Sequence, residues 1–174
     1  MITQGIDFKS LSLKDALDLA VLIEEEAKER YEEFADQMKL HHTPEAEKFF
    51  RFMARNEEKH RAELADRRRI IFGSAPLSLS RRSIFDVEAP DYDEARAFMT
   101  ARQALQAAFR AEKKAYTFFT EALPNVDEAA VKKLFEELRG EEIQHQKLVL
   151  AELDRTPPDP PYIAEEFVDE PVAQ

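Results

Sequence analysis

The sequence predicts an all-α protein, a four-helix bundle with one long crossover between the second and third helices. Apolar residues recur every three or four positions along four long stretches, which is the period of a helix face. Only 3 glycines occur in 174 residues, too few for a fold rich in turns and strands. The one long interruption, 73–91, separates the second stretch from the third. The helices are expected over about 12–40, 44–72, 92–123 and 127–154, inside a domain 1–155 that is followed by an arm 156–174.

The opening residues read as a frayed lead-in. The first helix then carries the row Leu13, Leu17, Ala20, Glu24, Ala27, Tyr31, Phe34 and Met38. One member of that row is an acid. Glu25, Glu26 and Glu29 fall off it and read as solvated surface, whereas Glu24 points where the leucines point. A buried carboxylate without a partner is costly, so something must compensate it. Between Leu17 and Ile23 the helix is apolar nearly all round, with Leu19, Val21 and Leu22 off the row. Burial of that second face by another subunit is the basis for expecting a homodimer. His41 and His42 read as exposed turn residues, and Thr43 with Pro44 as an N-cap with proline at the first helical position.

The second helix has the row Ala46, Phe50, Met53, Glu57, His60, Leu64 and Ile71. Here the polar interruption is Glu57-x-x-His60, whose spacing puts both side chains on one face. A structureless connection as long as 73–91 would normally count against the assignment. A crossover removes the objection: extended, it spans about 60 Å. A helix of about thirty residues is only about 45 Å long. The connection can therefore return along the whole bundle, laying Leu77, Leu79, Ile84, Phe85 and Val87 on it and placing the third helix parallel to the second.

Asp91 with Glu94 reads as the cap of the third helix, whose row is Phe98, Ala101, Leu105, Ala108, Glu112, Ala115, Phe119 and Ala122. Pro124, Asn125 and Asp127 make the next turn. Val131, Phe135, Leu138, Glu142, His145 and Val149 then line the fourth helix. The arm holds Pro157, Pro158, Pro160, Pro161 and Pro171 and reads as extended or disordered, with Tyr162, Ile163 and Phe167 available to a partner.

The two hairpins repeat one another. Glu24, Ala27 and Tyr31 recur as Glu112, Ala115 and Phe119. Phe50, Met53, Glu57, His60 and Leu64 recur as Phe135, Leu138, Glu142, His145 and Val149. Within each hairpin the polar residues lie at nearly one height, because the midpoint between them falls in the connecting turn. A dinuclear carboxylate bundle needs two Glu-x-x-His pairs and one Glu from each of two other helices. Glu24, Glu57, His60, Glu112, Glu142 and His145 are therefore the candidate metal ligands. Their oxygen and imidazole donors suit iron, with manganese or zinc as substitutes. Tyr31, facing the core one turn beyond Ala27, is the candidate to hydrogen-bond a ligand or supply an electron.

Composition excludes other classes. The chain has 0 cysteines, so disulfides, thiolate zinc sites and cysteine catalysis are absent. A net charge of −11 disfavours nucleic acid or an anionic membrane as partner. The basic cluster Arg67, Arg68, Arg69, Arg81 and Arg82 reads as a complement to a helix C-terminus. No secretory signal or membrane span is visible, and a cytoplasmic location is expected.

Glu24 with Tyr31, Glu57-x-x-His60, Glu112 and Glu142-x-x-His145 resemble the rubrerythrin branch of the ferritin-like di-iron superfamily, over roughly Leu13 to Leu153. The resemblance implies two iron ions per chain, bridged by Glu57 and Glu142, bound terminally by Glu24 and Glu112, and completed by His60 and His145. The sequence departs from the pattern in two ways. It has no cysteine for a rubredoxin-type relay, and Ala115 stands where rubrerythrins commonly have a further Glu. The expected activity is oxidation of Fe(II) by O2 or peroxide, or reduction of peroxide with an external electron donor. The alternatives are a non-catalytic iron-binding, storage or sensing module and a purely structural bundle.

Overall fold

The computed structural model describes residues 6–81, 87–91, 94 and 99–159. Among these there are four long helices and no strand: α1 (Leu13–Leu40), α2 (Pro44–Phe72), α3 (Ala101–Ala122) and α4 (Ala129–Arg155). Ser12 caps α1 in a reciprocal box with Asp15, each side chain bonding the other's backbone N–H. The first hairpin turns at His42, which takes the left-handed φ of 57°, and Thr43 closes the turn by donating its hydroxyl to the Met38 carbonyl at 3.1 Å. Pro44 then opens α2 as expected, but Thr43 caps it without a side-chain bond. Gly73 ends α2 at φ 60°, a conformation glycine adopts without a Cβ clash.

The helices run between two apolar clusters. One holds Leu17 and Ile23 of α1, Leu64 of α2, Phe119 of α3 and Phe135 of α4. The other holds Phe34 and Met38, Phe50 and Met53, Leu105 and Ala108, and Val149. The chain enters α1 and α4 at the first cluster and α2 and α3 at the second. Hence α3 is parallel to α2, as a single full-length crossover requires. The candidate ligands fall between the clusters on every helix.

The crossover is fastened along α1. Ser78 N–H donates to Asp18 at 2.9 Å, and Arg81 grips Glu29 through two bonds of 2.6 Å. Further along, Arg30 donates to the Pro90 carbonyl. The arginines expected to complement a helix end mostly serve as ties: Arg68 pairs with buried Asp18, Arg67 with Glu137 at 2.6 Å and Arg81 with Glu29. Arg82, Ile84, Phe85, Phe98, Tyr162, Ile163 and Phe167, and the arm beyond 159, lie outside the described residues.

Three expectations are corrected. The third helix begins at Ala101 rather than near 92, capped by Thr100 in a box with Gln103. Asp91 and Glu94, which imitate that motif, are drawn to the side of α3 instead, Asp91 by Lys114 and Glu94 by Arg110. The lead-in is docked at Phe8 and Leu11. Phe8 sets its ring edge-on against Phe118 and Phe135 at centroid distances of 6.0 and 6.2 Å. Finally, Leu19 and Leu22 are buried in the cluster that takes in Phe8, Leu11 and Val87, with Val21 packed against it. The lead-in and crossover pack against the apolar girdle of α1, so Leu19 and Leu22 are buried within the one chain. No helix among the described residues is long and apolar enough to cross a membrane.

Candidate metal centre

Each helix delivers its acid by the same device. A carboxylate set in an apolar row is carried inward by the burial of its neighbours one turn away, since residues three and four apart share a face. Glu24, Glu57, Glu112 and Glu142 are all buried, Glu57 and Glu112 completely. His60 and His145 are only partly buried, and their rings stack with centroids 4.7 Å apart and planes 1° from parallel.

The two hairpins meet at this layer. Nδ1 of His60 lies 3.9 Å from Glu24 and 3.8 Å from Glu57. Nδ1 of His145 lies 3.0 Å from Glu112 and 4.0 Å from Glu142. Tyr31, fully buried, donates its hydroxyl to Oε1 of Glu112 at 3.2 Å. Gln146 Nε2 donates to the Glu112 carbonyl at 3.3 Å. The six expected ligands and Tyr31 are thus gathered in one place.

A seventh candidate ligand joins them. Glu88, on the crossover, is 1% exposed. Glu57, Glu88, Glu112 and His145 offer ligand atoms that all lie within 4.8 Å of one another, and Glu57, His60 and His145 form a second such group. Sequence periodicity could not find Glu88, because the segment around it is not helical. The available signal was weak: an acid flanked directly by Val87 and Ala89.

The electrostatics are those of crowded, desolvated carboxyls. Burial, and then repulsion from Glu88, pushes the Glu24 and Glu57 carboxyls well above the usual range, and Glu142 responds in the same way. Glu88 is pushed up to about 8, by burial first and by Glu112 next. Burial and the neighbouring His145 lower His60. His145 moves the other way, because its contact with Glu112 outweighs burial. Burial and the surrounding carboxylates also raise the Tyr31 phenol, keeping it a donor.

Buried polar atoms are normally hydrogen-bonded. Here Oε2 of Glu24, both oxygens of Glu57, both of Glu88 and Oε2 of Glu142 have no such partner. Carboxylate oxygens left this way, next to imidazole nitrogens and away from any lysine or arginine bond, fit divalent cations.

A profile of the rubrerythrin family matches residues 15–153. The chain belongs to the rubrerythrin family. Its bundle is also similar to the crystal structure of an uncharacterized conserved protein from Magnetospirillum magnetotacticum MS-1. That match has a TM-score of 0.66 and 28% identity, over 86% of this chain and 98% of that one. A hypothetical protein from Pyrococcus furiosus shares the fold at a TM-score of 0.51 and 23% identity, over 82% and 89% of the two chains. No curated protein matches the chain. The family sets the ferritin-like bundle and its cluster of carboxylates and histidines in a di-iron context.

Proposed function

We propose that this rubrerythrin-family chain is a non-haem di-iron protein that oxidises Fe(II) with O2 or peroxide, or reduces peroxide with electrons from an external donor. The observation that carries this reading is the set of unpartnered buried carboxylate oxygens beside two stacked imidazoles. Bound iron supplies the electrons for dioxygen or peroxide chemistry, which no side chain of this set supplies.

The chain's own residues do the rest. Glu24, Glu57, Glu112 and Glu142, two from each hairpin, balance the charge of two divalent cations. The carboxyls raised by burial hold protons until a cation arrives and release them on binding. Tyr31 fixes the orientation of Glu112 through its hydroxyl. A shallow cleft between α2 and α4, lined by His60, Glu63, Leu64, Glu137, Leu138 and Glu141, gives small solutes a way to the imidazole edge. Manganese or zinc would fit the same donors, but zinc cannot cycle.

The second reading is an iron-binding, storage or sensing module without turnover, which the same buried carboxylates and imidazoles would serve. Anaerobic loading with Fe(II), followed by peroxide or O2, separates the two. The catalytic reading expects about two irons per chain and oxidation faster than that of free iron. Oxidation that is unchanged in Glu57→Ala would overturn it. The homodimer expected from the sequence is tested by sedimentation equilibrium at micromolar concentration, where a monomer counts against it.

A further inference from the structure

We propose that Glu88, carried in by the crossover, binds metal directly alongside Glu57, Glu112 and His145. This rests on the metal-binding reading above and adds to it a ligand that comes from no helix of the bundle.

Geometry supports it first. Donor atoms around one ion at about 2.1 Å are at most about 4.2 Å apart. The four residues already hold ligand atoms within 4.8 Å of one another, so a movement of under about 1 Å on each side chain closes the group around an ion at that bond length. Glu88 is 1% exposed, and neither of its oxygens has a hydrogen-bond partner. An ionised carboxylate in that position is costly without direct neutralisation.

The segment around Glu88 is built to present it. Val87, Ala89 and Pro90 are buried on either side. Arg30 donates to the Pro90 carbonyl, and Lys114 Nζ donates to the Ala89 carbonyl at 2.8 Å and to Asp91 at 3.0 Å. Two cations thus grip the backbone next to Glu88 and neither bonds its carboxylate. If the carboxylate served only to anchor the crossover, Arg30 or Lys114 would be the natural partner. Instead it faces Glu57, Glu112 and His145, donors that a cation can take up together.

Docking of the crossover then depends on metal, which gives a readout independent of activity. The test is an anaerobic Fe(II) titration by calorimetry of the wild-type chain, Glu88→Gln and Glu88→Asp. Amide hydrogen exchange over 87–91 is followed with and without Fe(II). Wild type should bind about two Fe(II). Glu88→Gln should weaken one of them by about tenfold or more and leave the other nearly unchanged. Glu88→Asp, which keeps the charge but shortens the reach, should weaken the same ion, whereas a purely long-range charge effect would leave it intact. Exchange over 87–91 should slow on Fe(II) binding in wild type and stay unchanged in Glu88→Gln. If Glu88→Gln does not fold by circular dichroism, Glu88→Asp carries the comparison. Wild-type binding of both ions in both variants, with the same slowing of exchange, overturns the role of Glu88 and leaves the di-iron reading standing. A wild-type chain that binds no Fe(II) overturns both.

Discussion

His60 and His145, one from each half of the duplicated sequence, lie ring over ring with centroids 4.7 Å apart and planes 1° from parallel. Two imidazolium ions at that separation repel strongly, so the metal-free pair holds at most one proton near neutrality. Burial and His145 lower His60, while Glu112 raises His145 against the effect of burial. Of the two rings, His145 therefore takes up a proton more readily. As pH falls, His145 should titrate above the ordinary 6.5 and His60 below it. Imidazole nitrogen shifts of the metal-free protein check this, since the chain has only 4 histidines. In His145→Ala, removal of the neighbouring charge should move His60 part of the way back toward its ordinary value and leave the part due to burial.

The carboxylate cluster makes the metal-free fold sensitive to alkali. A carboxyl whose folded pKa lies above its unfolded value stabilises the fold while protonated. That contribution is complete below the unfolded value of 4.5 and is lost as pH rises through the folded one, about 8 for Glu88. Glu24, Glu57 and Glu142 shift in the same direction. Thermal melts in chelator should therefore show stability falling between pH 5 and pH 8, by a few kcal/mol in total. Divalent iron or manganese should reverse the loss, because the ions take over the role of the protons. A melting temperature that rises over this range in chelator would contradict the burial of these acids.

What could be read from the sequence follows the physics of periodicity. Glu24, Glu57, Glu112 and Glu142 stand out because each breaks an apolar row of helical period, and such a row fixes direction as well as burial. The crossover offers no such period. Glu88 is as deeply buried as the helix acids, yet nothing in its spacing distinguishes it from solvated acids such as Glu25 or Glu29. The start of α3 was hidden for a related reason. Asp91-x-x-Glu94 and Thr100-x-x-Gln103 both satisfy the capping motif, and only the tertiary pull of Lys114 and Arg110 on the first pair decides between them. The apolar girdle of α1 was visible, but its cover was not, because a docked lead-in such as Phe8 looks the same in sequence as a frayed one.

Asp18 is the anchor that starts the crossover on its return. It is fully buried, bonds Arg68 and Ser78 N–H, and pairs with Lys14 at 2.9 Å. Burial alone would raise its pKa, but Arg68, Ser78 and Lys14 together hold it below 3.8. A lowered carboxyl contributes stability above the unfolded value and loses it as pH falls through the folded one, so Asp18 adds an acid-labile increment below about pH 4. Asp18→Ala should cost about 3 kcal/mol at neutral pH, because it leaves Arg68 Nε and the Ser78 N–H without their acceptor. Denaturant unfolding measures the loss, and the variant should also lose less stability than wild type between pH 4 and pH 2.5.

Tyr31 offers the sharpest separation of a structural role from a role at the metal. Its ring stacks on Phe50 at a centroid distance of 6.1 Å and an angle of 27°, and its hydroxyl donates to Glu112 at 3.2 Å. Tyr31→Phe keeps the packing and removes only the donor, leaving Oε1 of Glu112 unpaired. In chelator the expected cost is about 1 kcal/mol, the usual worth of one buried hydrogen bond. If the hydroxyl also holds Glu112 in its ligating orientation, Fe(II) affinity should fall by about tenfold, as for other residues that orient metal ligands. Melting with and without Fe(II) reads both effects in one experiment. An equal loss in the two conditions means that Tyr31 supports the fold alone, whereas a larger loss with iron present means that it positions Glu112 for the metal.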